Sequence, residues 1–139
     1  MKFLARWLDG GAKAALPKAQ GGRTFCRDVV GESYYQEALE TLAGGFTPDG
    51  CDVRVTAEVR PEPDNPSDPD AVRVSIGGRT VGYLSRGDAK RFVGGMAKLG
   101  RPGEGVSCEA RIVGGWRRSR DDFGFFGVQL NLPWPLKLK

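Results

Sequence analysis

The sequence predicts a mainly β fold, a small barrel of six short strands interrupted by two short helices. Three observations lead there. Several segments alternate apolar and polar residues with a period of two, as strands do when one face meets a core and the other meets water. Glycine occurs 21 times and proline 9 times in 139 residues, so turns are frequent and strands short. Between Arg23 and Lys139, two stretches carry apolar residues at helical spacing with both a start and a stop signal.

Residues 1–22 stand apart as a basic, amphipathic extension. Phe3, Leu4, Trp7 and Leu8 fall on one face of a short helix, while Lys2, Arg6, Lys13 and Lys18 add positive charge. Such a segment suits docking on the domain's own core; anchoring to a partner or a membrane surface, and disorder, are the alternatives. Arg6 and Asp9 interrupt any signal-peptide core, and no apolar run approaches the roughly 20 residues of a membrane span. The expectation is an intracellular, cytoplasmic protein.

Residues 23–139 read as the barrel domain. Thr24 to Gly31 predicts a first strand, with Phe25, Val29 and Val30 in the core. Ser33, three residues before Gln36, has capping-box form and opens the first helix. Tyr35, Ala38, Leu39, Leu42 and Ala43 share its apolar face, and Gly44-Gly45 ends it. That phase buries Tyr35 and leaves Tyr34 off the stripe. Cys51, Val53, Val55, Ala57 and Val59 then alternate with polar partners. Val72, Val74 and Ile76 lead into Gly77-Gly78, and Val81 and Tyr83 follow, a hairpin in which both turn residues can take positive φ. Ser85, with Asp88 three residues on, opens a second helix whose apolar face is Ala89, Phe92, Val93 and Met96; Gly100 and Pro102 close it. Val106, Cys108, Ala110 and Ile112, and then Phe126, Val128, Leu130 and Leu132, supply the last strands. Six antiparallel strands with two helices fit a barrel related to the OB fold.

Composition narrows the chemistry. The chain has no histidine, and Cys26, Cys51 and Cys108 are widely spaced with no CxxC pair. A structural zinc site and any Ser-His-Asp or Cys-His mechanism are therefore not expected. Cys51 and Cys108 sit on the apolar side of alternating segments and read as buried free thiols. No nucleophile–base pair, nucleotide-binding loop or metal cluster is recognisable, so neither an enzyme nor a cofactor is expected. The charge is uneven. Residues 31–78 carry three basic against ten acidic side chains, whereas 79–139 carry twelve against five. A basic region of that kind favours an anionic partner such as nucleic acid.

Three constellations could hold one. Arg86 lies in the first turn of the second helix beside Tyr83; a cation there opposes the helix dipole, a conflict that a bound phosphate relieves. Pro63-Asp64-Asn65-Pro66-Ser67-Asp68-Pro69-Asp70 is a stiff loop whose Asn and Asp side chains cap their own turns; it lacks calcium-loop spacing. Finally Tyr34, Tyr83, Trp116, Phe123 and Phe125 lie among Arg117, Arg118 and Arg120, rings and cations of the kind that hold single-stranded nucleic acid.

Val29-Val30-Gly31-x-x-Tyr34-Tyr35, then Asp64-Asn65-Pro66-x-Asp68-x-x-Ala71-Val72-x-Val74, then Val81-Gly82-Tyr83-Leu84 with Ala89, together resemble a HIRAN domain over about residues 27–113. The resemblance implies an OB-like barrel that captures the 3′-hydroxyl end of single-stranded DNA, in DNA repair, replication or processing. It implies that Tyr34 and Tyr35 contact the terminal nucleotides, that Asn65 helps hold the end, and that Asp68 accepts a hydrogen bond from the 3′-hydroxyl. Tyr83 and Arg86 would face backbone phosphates, and Trp116 or Phe123 would flank a base. A carboxylate accepts from a hydroxyl and repels a phosphate, so Asp68 would select free 3′-OH ends. Ser33, Asp64 and Ser67 depart from the DNA-binding relatives, where arginine, asparagine and an aromatic stand. Each change weakens the hold on DNA, which leaves two expectations. One is a DNA-end-binding module, working alone or with a DNA-processing protein. The other is a protein-interaction module of the same fold with little or no DNA binding.

Overall fold

A computed structural model describes residues 15–139. The helix expected around Phe3 to Leu8 lies outside them. The fold is mainly β, as the alternating segments predict. One curled antiparallel sheet has the order β1-β8-β5-β2-β3-β4, and a separate two-stranded ribbon is formed by β6 and β7. In chain order the strands are β1 (Arg27–Asp28), β2 (Cys51–Pro61), β3 (Val72–Ile76), β4 (Arg79–Tyr83), β5 (Val106–Gly114), β6 (Arg117–Ser119), β7 (Asp122–Phe123) and β8 (Phe126–Leu130). Helix α1 (Gln36–Ala43) lies between β1 and β2, and α2 (Arg86–Lys98) between β4 and β5.

The period-two pattern sets the register. β2 and β5 form the long central pair, in which Val59 faces Val106, Ala57 faces Cys108 and Val53 faces Ile112. One side of that ladder enters a core completed by Phe92 and Met96 of α2, Leu39 of α1, and Phe126, Val128 and Leu130 of β8. Gly77 and Gly78 join β3 to β4 with φ of 59° and 80°, the left-handed conformations a two-residue hairpin needs. The two outer edges of the sheet meet at one place. Val30 and Tyr83 exchange backbone hydrogen bonds of 2.8 and 2.9 Å, which closes the curl into an OB-like half-barrel. Gly82 permits this approach, because a Cβ there would meet the Val29 side chain and lie 2.6 Å from the Val30 oxygen.

Residues 15–22 are the described part of the segment set apart as an extension. Their backbone lies between β5 and the C-terminus: Ser107 N donates to Pro17 O, Ala19 N to Ser107 O, and Lys139 N to Lys18 O. Ala19 is buried against the core.

Four local expectations need correction. The first strand is shorter than Thr24–Gly31. Of its three core candidates only Val29 is buried; Val30 is 43% exposed. Phe25 is half-buried, 4.7 and 5.5 Å from the guanidinium carbons of Arg54 and Arg111. Secondly, Ser33 caps nothing. Gly31, at φ 78°, turns the chain into a 3₁₀ turn over Glu32–Tyr34, so α1 starts two residues later than expected, with Tyr35 at its N-cap and no side-chain cap. Tyr35 is half-buried rather than part of a buried stripe, while Tyr34 is 87% exposed. Thirdly, Val93 of α2 is exposed, since the core side of that helix is filled by Ala89, Phe92 and Met96. Fourthly, Cys51 is half-buried although Cys108 is buried; all three thiols are free. The start of α2 is as expected, with Asp88 N donating to Ser85 Oγ at 3.2 Å. Among the described residues no helix is long and apolar enough to cross a membrane.

Candidate functional site

The loop between β2 and β3 builds the site from its own polar side chains. Three prolines within it lack an N–H and fix φ, so its turns depend on Asn65 and Asp68. Asn65 Oδ1 accepts from Ser67 N at 2.9 Å and from Asp68 N at 3.0 Å, and Asp68 Oδ1 accepts from Asp70 N at 2.9 Å. Backbone bonds from Glu62 N to Ala71 O and from Ala71 N to Asp68 O close the loop's base. Asp68 is thereby held by one carboxylate oxygen. Its other oxygen has no protein hydrogen bond among the described residues.

Glu62 ties this loop to β4. Its Oε1 accepts from Asn65 Nδ2 at 2.7 Å and from the Tyr83 hydroxyl at 2.8 Å, and its Oε2 pairs with Arg73 at 3.2 Å. Burial alone would push the Glu62 carboxyl upward. The two hydrogen bonds and the Arg73 charge outweigh it and hold the group below the usual carboxylate range. Tyr83 moves the other way: burial first, then its bond to Glu62 and the neighbouring Tyr35, push its phenol well above the ordinary value. Glu62 and Arg73 carry no local signature, because their roles depend on the β2–β3–β4 pairing.

Tyr83, Asn65, Asp68, Arg86, Val30 and Leu84 line one cleft of about 250 Å³. A wider groove of about 660 Å³ continues from it along α2 and shares Ser67, Asp68, Arg86 and Ala89. Beside Tyr35, which neighbours the Tyr83 phenol, Tyr34 and Tyr35 line a shallow concavity with Glu37, Arg79 and Thr80. Six expected site residues therefore fall on adjoining surfaces around Tyr83. Arg79 is an addition that the sequence did not single out. Arg79 and Arg86 are both exposed and form no ion pair among the described residues, so their guanidinium groups are available to an anion. Trp116 and Phe123 belong elsewhere. They sit at the β6–β7 ribbon and line none of these clefts. Among the described residues no cluster of three or more Cys, Asp and Glu side chains could hold a metal ion.

A family-level sequence comparison matches the HIRAN domain over residues 24–118, more than half of the chain. The chain belongs to the HIRAN family. The match spans β1 to the start of the ribbon and so includes every residue of the cleft. Comparison with curated proteins and with solved structures gives no match. HIRAN domains are nucleic-acid-binding modules and not catalysts. In this HIRAN domain the arrangement can do two things: hold a phosphate at Arg86, with Arg79 offering a second guanidinium in the neighbouring concavity, and accept a hydrogen bond at Asp68. Ser33, Asp64 and Ser67 are all exposed, and Ser67 stands at the mouth of the cleft.

Proposed function

We propose that this HIRAN domain binds the 3′-hydroxyl end of single-stranded DNA in the cleft between the 62–71 loop and the start of α2. The observation that carries this reading is Asp68. Its carboxylate lines the cleft with one oxygen fixed by Asp70 N and the other unpartnered among the described residues, and Arg86, which forms no ion pair among them, lines the same cleft. The free oxygen accepts from a terminal hydroxyl, and the same charge repels a 3′-phosphate. Arg86, at the first turn of α2, faces the preceding phosphate together with the free N–H groups of the helix. Asn65 positions Asp68, Tyr83 lines the wall, and exposed Tyr34 with half-buried Tyr35 offers rings to the terminal bases. Ser33 and Ser67 supply no cation or ring, and Asp64 adds negative charge beside the loop, so modest affinity at low salt is expected.

Fluorescence anisotropy with short single strands ending in 3′-OH or 3′-phosphate tests the proposal. The 3′-OH strand binds more tightly in the wild type. Asp68→Ala removes that preference, and Arg86→Ala weakens both strands alike. Equal affinity for the two ends in the wild type sinks the end-recognition reading. Absence of binding to either strand at low salt points to the protein-interaction module.

A further inference from the structure

The side chains lining the cleft have spent part of their hydrogen-bonding capacity inside the protein, and what remains decides which ligand groups they can face. We infer that Tyr83 is a specificity-determining acceptor: Glu62 engages its phenolic proton, so the hydroxyl offers only lone pairs to the cleft and turns phosphate groups away beside Asp68. This rests on the proposed capture of a 3′-hydroxyl end. It reverses the role that the HIRAN resemblance implies for Tyr83, a contact with backbone phosphates.

A phenol has one proton to donate. That of Tyr83 goes to Glu62 Oε1, at 2.8 Å. The acceptor is a carboxylate whose other oxygen pairs with Arg73 at 3.2 Å and whose side chain is 19% exposed, so water has little access to replace the bond. An ionised carboxylate has no proton of its own and cannot reverse the direction of donation. Bonds of this charge-assisted kind are roughly twice as strong as neutral ones. A phosphate reaching Tyr83 for a proton has to break that bond, and it brings a second negative charge towards Glu62. Burial, with the Glu62 bond behind it, pushes the phenol well above its ordinary value, so the proton is not released to solvent either.

The other polar side chains of the cleft divide by what they have left. Asn65 accepts from Ser67 N and Asp68 N and gives one amide hydrogen to the same Glu62 oxygen, so one N–H remains. Arg86 forms no ion pair among the described residues and keeps its donors. The Ser67 hydroxyl can turn either way. Against these donors stand two fixed acceptors, the free Asp68 oxygen and the Tyr83 oxygen, both lining the cleft. A terminal hydroxyl satisfies either one; a 3′-phosphate satisfies neither. The strand's phosphates therefore belong on the Arg86 side, and rejection of a 3′-phosphate is shared between Asp68 and Tyr83.

Anisotropy titrations with strands ending in 3′-OH or 3′-phosphate, run on Tyr83→Phe, Glu62→Gln and the double variant well below each melting temperature, test the inference. Tyr83→Phe keeps the ring and the backbone bonds to Val30. It lowers the 3′-OH over 3′-phosphate preference by roughly 3- to 10-fold, the worth of one hydrogen bond. The salt slope stays that of the wild type, because no cation is lost. Glu62→Gln lowers the preference further: its amide oxygen turns to Arg73 and its N–H to the phenol, which frees the Tyr83 proton for a phosphate. The double variant returns to the Tyr83→Phe value, a reversal that a merely loosened loop does not produce. Equal weakening of both strands by Tyr83→Phe makes Tyr83 a phosphate ligand and overturns the inference. So does an unchanged preference in a wild-type background that discriminates the ends. Additive effects of the two substitutions overturn the part given to Glu62. A wild type that binds both ends alike is a different result, which removes end recognition itself and this inference with it.

Discussion

Replacing Glu62 by glutamine changes one atom and tests the link between the binding loop and β4. In the wild type the carboxylate accepts from Asn65 at 2.7 Å and from Tyr83 at 2.8 Å and pairs with Arg73 at 3.2 Å. A hydrogen bond to a charged group contributes about 1.5–3 kcal/mol and a neutral one about 0.5–1.5 kcal/mol, so two bonds losing their charge cost about 2 kcal/mol. The Arg73 side chain is 39% exposed, and water screening limits that pair to less than about 1 kcal/mol. Glu62→Gln should therefore destabilise the domain by about 2–3 kcal/mol. In urea this lowers the midpoint by about 1–2 M with an unchanged slope, for the usual dependence of a small domain. The pH dependence gives a second reading. A carboxyl whose folded pKa is depressed stabilises the protein fully above its unfolded value, and that contribution is lost as pH falls through the folded value. The difference between wild type and Glu62→Gln should thus be full at pH 7 and shrink below about pH 4. A midpoint within roughly 0.2 M of wild type, the resolution of the method, or a difference that does not change between neutral and acid pH, refutes the role assigned to Glu62.

Other outcomes follow from the same geometry. Gly82→Ala places a Cβ against Val29 and the Val30 oxygen at a φ of 156°, so the Val30–Tyr83 bonds must open; a loss of about 3 kcal/mol or a failure to fold is expected in thermal melts. Burial, helped by Glu109, pushes the Cys108 thiol up to about 12, so it should resist a thiol reagent until the protein unfolds, while exposed Cys26 reacts at once. One fast equivalent from Cys26, a slower one from Cys51, whose thiol burial and Asp52 also push up, and a third, denaturant-dependent phase from Cys108 are the expected labelling pattern; rapid labelling of Cys108 in the native protein contradicts the burial.

Local pattern was enough for the centre of the fold. The alternation from Cys51 to Val59 predicts β2, and its partner from Val106 to Ile112 predicts β5, because each inward residue answers to the same core. It was not enough at the first helix. Ser33 and Gln36 have capping-box spacing, but the Gln36 side chain instead donates to Phe126 O at 2.9 Å and accepts from Phe126 N at 2.8 Å. A strand ninety residues away had claimed it, which no window of neighbouring residues reveals. The site divides in the same way. Asn65 and Asp68 were legible because their hydrogen bonds are local to the loop, and Arg86 because a cation at a helix start is anomalous. Glu62 and Arg79 were not, since one acts through β4 and the other through the concavity beside Tyr35. The aromatics of the last hairpin were visible as a group, yet their unequal exposure, 39% at Phe123 and 62% at Phe125, comes from packing that spacing does not show.

Two amide hydrogen bonds between Val30 and Tyr83 are what latch the sheet's outer edges together, and Tyr83 belongs to the cleft wall as well. An oligonucleotide lodged between the 62–71 loop and the tyrosines of the 3₁₀ turn would span that latch like a staple. Occupancy should then slow deuterium uptake at the amides of residues 30 and 83 while leaving the β2–β5 ladder unaffected. The domain would report its cargo through the stiffness of its own rim.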